Sequence, residues 1–256
     1  MRQLSAFFKK ELLEQVRTGK LLILGILFVA FGVMNPAVAK LTPFIMEAFA
    51  ETLENSGMII TEVTVTAMDS WVQFFKNIPM ALIAFVLLEG GIFTSEYQSG
   101  TLVLTLTKGL ARYKVLVSKA AMLLMLWSLG YWLCFGITYG YNAYYWDNSV
   151  AQNLFGSVLL WWIFGIFVIS LLVMFSALSA GLGSVLLGVG GTVVASYLIG
   201  ALPKIGNLLP TFLTDGTSLI YGKSSFDEYL VALAVTLVFT FAALAVSFAA
   251  FNKKKI

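Results

Sequence analysis

One carboxylate stands inside an apolar stretch of the sequence and is the first candidate for chemistry. Glu89 lies in the run Leu88-Glu89-Gly90-Gly91. A carboxylate at membrane depth is costly, so it indicates function by default, for example in a proton relay. A relay needs further ionisable partners in the same apolar surroundings, and no second carboxylate of this kind is present. The alternative is structural: an ion pair with a basic residue of the first helix or the following loop, or a side chain that reaches the interface.

Other common kinds of chemistry are excluded by residue type. The sequence has no histidine and a single cysteine, Cys134, which rules out imidazole metal sites, histidine-based triads and an intramolecular disulfide. No Gly-x-x-x-x-Gly-Lys-Ser/Thr loop is present to cradle the phosphates of ATP, and the glycine-rich run 187–192 lacks the lysine. We therefore expect no enzyme activity, no metal and no cofactor in this chain.

The composition excludes an ordinary soluble domain. Hydrophobic residues make up 59% of the 256 residues and charged residues only 11%, whereas soluble proteins carry about 25% charged residues. So few charges do not cover a soluble fold of this size, and lipid is the solvent that fits. The formal net charge of +3 is too small to indicate a nucleic-acid partner.

Long apolar runs give the fold class. A transmembrane helix needs about 20 predominantly apolar residues, and six runs are long enough. They are continuous rather than alternating, which favours helices over a β-barrel. We therefore expect an all-α membrane protein with six transmembrane helices in one domain, residues 1–256. A short Ala-Leu-Ser-Ala-Gly turn separates the fourth span from the fifth. The expected spans are 21–39, 72–93, 116–140, 153–176, 181–202 and 229–251.

The first span also resembles a signal peptide. A basic start, the apolar run 21–34 and the triplet Ala37-Val38-Ala39 fit that pattern. Two acidic residues, however, lie in what would be an unusually long n-region. We therefore interpret this segment as a retained first span.

The distribution of basic residues predicts the orientation. Lys and Arg are enriched in the cytoplasmic loops of membrane proteins. With the N-terminus inside, twelve of the 16 basic residues fall on the cytoplasmic side, and most of the acidic residues fall outside. We therefore expect both termini in the cytoplasm. The twelve residues are Arg2, Lys9, Lys10, Arg17, Lys20, Lys108, Arg112, Lys114, Lys119, Lys253, Lys254 and Lys255.

Residues 1–20 predict an amphipathic helix before the first span. Leu4, Phe8, Leu12 and Val16 recur at a spacing of four, which places them on one face of a helix. Charged side chains fill the other faces. We expect this helix to lie flat in the interface, with its apolar stripe in lipid and its bases near anionic headgroups.

The stretch 40–71 is expected to form an outer loop. Glu47, Glu51 and Glu54 follow spacings of four and three, which predicts a short external helix, and the β-prone stretch 59–66 comes after it. The loop is too small for an independent enzyme domain. An ordinary solvated loop and an acidic vestibule for cationic substrates are the two interpretations.

Glycines are frequent in the third and fifth spans. Gly136 and Gly140 form a Gly-x-x-x-Gly pair, and the fifth span contains several more glycines, among them Gly190 and Gly191. Small residues allow helices to approach closely. We expect these glycines to pack against neighbouring helices, with hinge motion as the alternative.

The loop after the second span, residues 96–115, carries a distinctive order of residues. An acidic residue precedes a Gly-Thr-Leu step, a Leu-rich stretch and an arginine, and a further basic residue follows. This order resembles the coupling loop of ABC-2-type permease subunits of bacterial ABC exporters. Residues 108–111 depart from the family pattern, which often has a proline and then Ser or Thr before the arginine. The matching positions are Glu96, Gly100, Thr101, Leu102, Arg112 and Lys119.

The resemblance implies partners, a location and site residues. ABC ATPase subunits, which hold ATP and magnesium, would dock on the N-terminal helix and the coupling loop. A second permease chain, identical or related, would complete the pathway in a bacterial plasma membrane. A cytoplasmic coupling helix and a re-entrant outer hairpin at 203–228 are also implied. The expected ATPase-coupling residues are Phe7, Phe8, Glu11, Glu96, Gly100, Thr101, Leu102, Arg112 and Tyr113.

The predicted function is ATP-driven export by alternating access. The apolar, aromatic-rich spans fit an amphipathic or hydrophobic cargo, such as a peptide toxin, an antimicrobial peptide, a drug or a lipid. The alternative is an ATP-independent protein, either an ion-coupled transporter or an immunity protein that binds a membrane-active peptide. Ion coupling normally needs several buried ionisable groups, and Glu89 alone does not supply them.

Overall fold

A computed structural model describes residues 2–48, 64–107, 109–202 and 205–254. Within these residues the regular structure is entirely helical. Short 3₁₀ turns lie at Asn148–Val150, Gly206–Leu208, Pro210–Thr214 and Phe226–Tyr229. The α-helices are Arg2–Arg17 (α1), Lys20–Ala48 (α2), Ala67–Glu89 (α3), Thr94–Ser99 (α4), Thr101–Thr107 (α5), Arg112–Tyr145 (α6), Leu154–Leu178 (α7), Leu182–Gly200 (α8), Gly216–Ile220 (α9) and Leu230–Lys253 (α10).

Six helical segments of the described chain are long and apolar enough to cross a membrane, so the predicted six-helix, all-α membrane fold is confirmed. They are built on α2, α3, α6, α7, α8 and α10. Two of them are longer than their apolar cores: α2 has 29 residues and α6 has 34. Hydropathy locates the part of a helix that lies in lipid, whereas the helix itself continues until a cap or a turn stops it.

The outer end of the first span shows this difference. The short external helix expected around Glu47 is instead the last part of α2, which continues through Pro36 and Pro43 to Ala48. Glu51 and Glu54 and most of the β-prone stretch lie outside the described residues. The next helix begins at a capping box, in which Thr66 Oγ1 accepts from the Met68 amide and Asp69 Oδ2 accepts from the Thr66 amide.

The core of the bundle is aromatic. Trp71, Phe74, Trp127 and Tyr131 are fully buried, and their rings meet in edge-on and tilted pairs at centroid distances of 5.3–6.0 Å. They lie where α2 and α3 pack on α6, and α6 in turn packs on α7. These rings are therefore packing groups in this chain rather than the lining of an open route.

Glycines allow the closest approaches between helices, and one of them, Gly188 against the Phe175 ring, lies in the fifth span where packing glycines were predicted. A Cβ atom at Gly165 would clash with the Trp127 ring, and one at Gly130 would clash with the Phe28 ring. A Cβ atom at Gly136 or Gly140 would have no described neighbour within 4 Å, so the packing role of this pair is not seen among the described residues and stays a prediction. A spacing motif identifies two small residues on one face, but only the tertiary fold decides which face meets another helix.

The segment between α8 and α10 packs on the bundle as a series of short turns. Leu213, Leu219 and Ile220 are buried. Trp161 Nε1 donates a 2.8 Å hydrogen bond to the Thr214 carbonyl, and the Tyr229 hydroxyl donates to the Asp215 carbonyl at 3.0 Å. Pro203 and Lys204 lie outside the described residues. The described residues of 203–228 thus form short turns packed on the bundle, and the re-entrant outer hairpin expected there stays a prediction.

Candidate functional site

The buried face of α1 is not the predicted apolar stripe. Phe7, Glu11 and Gln15, again at a spacing of four, are 7%, 4% and 6% exposed. Phe8 and Leu12 are only partly buried, and Val16 is exposed. A charged residue, Glu11, therefore lies on the face that packs on the bundle, and the position of the apolar stripe in lipid stays a prediction. The face of α1 that packs on the bundle is decided by charged partners on other helices, which periodicity within α1 does not reveal.

An ion cluster joins α1, α4 and α6 at this end of the bundle. The Lys119 side chain, on α6, is 1% exposed, and its Nζ lies 2.8 Å from Glu11 Oε2. The same Nζ lies 3.1 Å from Glu96 Oε2, an ion pair without good hydrogen-bond alignment. Lys10 Nζ lies 3.0 Å from Glu11 Oε1 and 2.6 Å from Glu96 Oε1. Each lysine thus bridges a carboxylate on α1 and a carboxylate on α4.

Lys10 extends the ion cluster toward solvent. Its Nζ is also 2.8 Å from Glu14 Oε2. Burial would lower the pKa of Lys10, but hydrogen bonds to Glu14 and Glu96 and the charge of Glu11 outweigh it and raise the pKa well above its ordinary value. Burial would likewise raise the pKa of Glu14, and the Lys10 hydrogen bond and charge lower it instead. Lys10 and Glu14 are therefore both charged near neutral pH.

Three carboxylates of the ion cluster also have the spacing of a metal site. Oxygens of Glu11, Glu14 and Glu96 all lie within 4.8 Å of one another. The ammonium groups of Lys10 and Lys119 are placed between them. Because these two cations already supply the positive charge that a metal would bring, the arrangement fits a protein ion-pair network better than a metal centre.

Glu89 forms a second charged contact beside the ion cluster. It is fully buried, and its Oε2 accepts a 2.8 Å hydrogen bond from Gln15 Nε2 and lies 3.6 Å from Lys20 Nζ. Its Oε1 accepts no hydrogen bond from the described residues. These contacts are the ones that a structural role requires, since they tie the end of α3 to α1 and to the start of α2.

The predicted coupling loop, residues 96–115, forms α4, α5 and the start of α6. Gly100 has φ 70, a left-handed conformation that favours glycine, and it separates α4 from α5. Leu102 is buried, and the Thr101 hydroxyl lies 2.9 Å from the Ser99 hydroxyl. Leu104 is 63% exposed and Tyr113 is 53% exposed. The loop therefore has one face anchored in the protein and an apolar face that is open.

Arg112 is used inside the chain. Its Nη1 donates to the backbone carbonyls of Phe251, Asn252 and Lys254 at 3.0, 3.3 and 2.6 Å. These carbonyls belong to the last turn of α10, where no intrahelical donor remains for them. Arg112 and Tyr113, both predicted to couple to the ATPase, therefore differ in their surroundings. Tyr113 is open to a partner, whereas Arg112 holds the loop against the last span.

The opposite half of the bundle has a neutral network that sequence reasoning missed. Asn77 Nδ2 donates to Asn35 Oδ1 at 2.8 Å, and Asn35 Nδ2 donates to Thr138 Oγ1 at 3.0 Å. Thr138 Oγ1 donates in turn to the Gly32 carbonyl at 3.0 Å. The network joins α2, α3 and α6. Two asparagines within apolar runs were the available signal, because buried amides in membrane helices usually pair with one another.

Comparison with known families gives one result. The model of the ABC-2 family transporter proteins matches residues 5–202. The matched region runs from α1 to the end of α8 and includes the ion cluster and the whole of residues 96–115. No curated protein matches the sequence.

Proposed function

The chain belongs to the ABC-2 transporter family, and from this premise we propose that it is the membrane-spanning permease subunit of an ATP-driven exporter. Separate ABC ATPase subunits would supply ATP and magnesium. The observation that carries the proposal is the coupling loop: Leu104 and Tyr113 are exposed on it, while Glu96 and Arg112 fix its two ends to the rest of the protein.

The proposed orientation places the charged end in the cytoplasm of a bacterial cell. The term charged end is used for the end of the bundle where α1, α4, α5, the start of α6 and the end of α10 meet. Twelve of the 16 basic residues lie in these elements or next to them in the sequence, and the positive-inside rule then predicts that they and both termini lie on the cytoplasmic side. ATPase subunits act on that side.

The proposed mechanism is a two-state switch. Closure of the ATPase subunits on ATP would press on α5, and Glu96 would pass the displacement to α1 and α6 through Lys10 and Lys119. Interfaces built from discrete ion pairs have a small number of arrangements, so a displacement at one contact shifts the population of the whole assembly. The ATPase shifts the equilibrium between the two states of the permease only by the difference in its affinity for them.

A second permease chain and an amphipathic or hydrophobic cargo complete the proposal. Along α8 only Val185 and Val189 are buried, so this helix offers a long apolar surface to a second chain. The wall of such a pathway would be apolar, which fits a membrane-active peptide, a drug or a lipid. Ion-coupled transport is less well supported, because the Glu89 carboxylate already accepts a hydrogen bond from Gln15 and pairs with Lys20.

The exposed face of the coupling loop gives the direct test. Tagged permease is co-expressed with a candidate ABC ATPase and purified, and Leu104→Asp and Tyr113→Ala are compared with Lys253→Ala, an exposed residue at the same end. We expect the two loop variants to recover at least about tenfold less ATPase, because a charge or a lost ring at the centre of an apolar contact costs more than about 1.4 kcal/mol. Membrane insertion, measured by yield in the membrane fraction, is expected to stay unchanged.

Two results would contradict the proposal. The coupling-loop assignment fails if both loop variants recover as much ATPase as Lys253→Ala does. The exporter assignment fails if the purified permease alone, in proteoliposomes without ATPase or ATP, moves its cargo at the rate of the complete assembly.

A further inference from the structure

Residues at or beside both ends of the coupling loop contact the segment 251–254. On the C-terminal side, Arg112 donates three hydrogen bonds to their carbonyls. On the N-terminal side, Phe93 meets Phe251 edge-on at a centroid distance of 5.5 Å, and Lys254 Nζ lies 3.9 Å from the centre of the Tyr97 ring. Phe251 is 1% exposed. These residues, here called the strap, are therefore part of the base of the loop.

The strap continues to a third element. Lys254 Nζ donates to the carbonyls of Ala177 and Ser179 at 3.0 and 2.6 Å. These two carbonyls stand at the C-terminal end of α7 and in the turn to α8, where the helix dipole favours a cation and no helical donor remains. One ammonium thus spans the base of the coupling loop and the α7–α8 turn, which lies 75 or more residues before Lys254 in the sequence.

The neighbouring lysine provides a contrast. Lys253 is exposed and makes no hydrogen bond or ion pair with the described residues. Lys254 is half-buried, and desolvation lowers its pKa. Two lysines that follow one another in the sequence therefore differ in what they touch, and a general attraction of basic residues for the membrane surface does not explain the contacts of the second.

We propose that Arg112 and Lys254 are positioning residues that turn residues 251–254 into a mechanical link, so that the coupling loop and the α7–α8 turn move as one unit. This inference rests on the proposed function, because it assigns a role in ATP coupling. It goes beyond that function by connecting the loop to α7, α8 and α10, whereas the ion cluster connects it only to α1 and α6. Spans on both sides of the bundle then receive the same displacement.

The test is hydrogen–deuterium exchange on the assembled permease–ATPase complex, with and without ATP and magnesium. In the wild type we expect ATP to change exchange at residues 100–111 and at residues 177–181. In Lys254→Met the change at 100–111 is expected to persist and the change at 177–181 to disappear. Exchange at 177–181 without ATP should rise about tenfold, the factor expected when a charge-assisted hydrogen bond is lost.

Control variants separate linkage from general loss of structure. Lys253→Met is expected to behave as the wild type, and Lys254→Arg, which retains the charge and donors, is expected to restore the response at 177–181. Arg112→Gln cuts the strap on its other side and should also uncouple the two segments. If Lys254→Met does not fold, Arg112→Gln alone tests whether the strap couples the two segments.

The outcomes distinguish the two proposals. If ATP changes exchange at 100–111 in the wild type but 177–181 responds equally in Lys254→Met and Arg112→Gln, or does not respond in the wild type, the strap proposal is overturned and the proposed function stands. If ATP does not change exchange at 100–111 in the wild type, the proposed function is overturned, and the strap proposal falls with it.

Discussion

At the charged end, Lys10 and Lys119 join α1, α4 and α6 through carboxylates, whereas in the opposite half Asn35 and its partners join α2, α3 and α6 through neutral hydrogen bonds. Ion pairs gain and lose energy with pH and salt and depend strongly on the presence of every partner. Amide and hydroxyl pairs change little with pH or salt. The difference indicates that the stability of the charged end depends on charge, whereas the stability of the opposite half does not.

The largest expected effect is at the centre of the ion cluster. Lys119→Met leaves Glu11 and Glu96 buried with Lys10 as their remaining cation, and removing one partner of a buried pair costs about 3–5 kcal/mol. We expect the free energy of unfolding in detergent to fall by this amount. Thermal unfolding is the measurement. Lys9→Met, which removes an exposed lysine of α1, is the control and should cost less than about 0.5 kcal/mol.

Neutralising the partners sharpens this prediction. Lys119→Met combined with Glu11→Gln and Glu96→Gln removes the unpaired charges, so it should recover part of the stability that Lys119→Met alone loses. If Lys119→Met is no more destabilising than Lys9→Met, the charged end does not depend on its ion pairs and the comparison between the two halves is wrong.

A smaller effect is expected in the opposite half. Asn35→Leu removes two hydrogen bonds and leaves Asn77 Nδ2 without its acceptor, which should cost about 1–2 kcal/mol. Thr138→Val keeps the shape but removes both the acceptor of Asn35 Nδ2 and the donor to the Gly32 carbonyl, so it should cost a similar amount. The loss is measured by thermal unfolding at several salt concentrations and at two pH values, since Asn and Thr side chains do not ionise. A loss that changes with salt would contradict the assignment of this network as neutral.

The smallest effect concerns acid and the exposed edge of the ion cluster. The pKa of Glu14 is lowered in the folded protein, so its contact with Lys10 stabilises the fold above the ordinary carboxyl pKa and is lost as the pH falls below it. Because Glu14 and Lys10 are each about half exposed, the contribution is below about 1 kcal/mol.

The measurement is the difference in unfolding midpoint between the wild type and Glu14→Gln. This difference is expected to be present at pH 7 and to shrink toward zero as the pH falls below the ordinary carboxyl range. The matched control is Asp227→Asn, which neutralises an exposed acidic residue near the start of α10. A difference that grows in acid would reverse the sign assigned to Glu14.

How much of this structure is predictable depends on how far apart the interacting residues lie. The six spans follow from local hydropathy, and the prediction of a coupling loop rests on the order of residues within 96–115. The pairing of Lys119 with Glu11 spans 108 positions, and that of Arg112 with the Lys254 carbonyl spans 142. Nothing in a single sequence marks such pairs. The family resemblance places Glu11 at the coupling surface, and its burial appears only when α6 is packed beside α1.

Chemical type is predictable where geometry is not. The sequence marks Glu89 as costly, and the structure supplies Gln15 and Lys20 as its neighbours. Gly136 and Gly140 carry a packing motif yet meet no described neighbour, whereas Gly165 carries no motif and lies against Trp127. A residue's type states what it is able to do, and the tertiary arrangement decides whether a partner is within reach.

The length of chain between paired charges also sets an order of assembly during synthesis. Glu11 leaves the ribosome 108 residues before Lys119, and Arg112 leaves 142 residues before the carbonyl of Lys254. Because synthesis proceeds from the N-terminus at a limited rate, α1 must wait in contact with water or headgroups until α6 has been made, and Arg112 must wait for the whole of α10. The end of the molecule that is translated first is therefore the end that closes last.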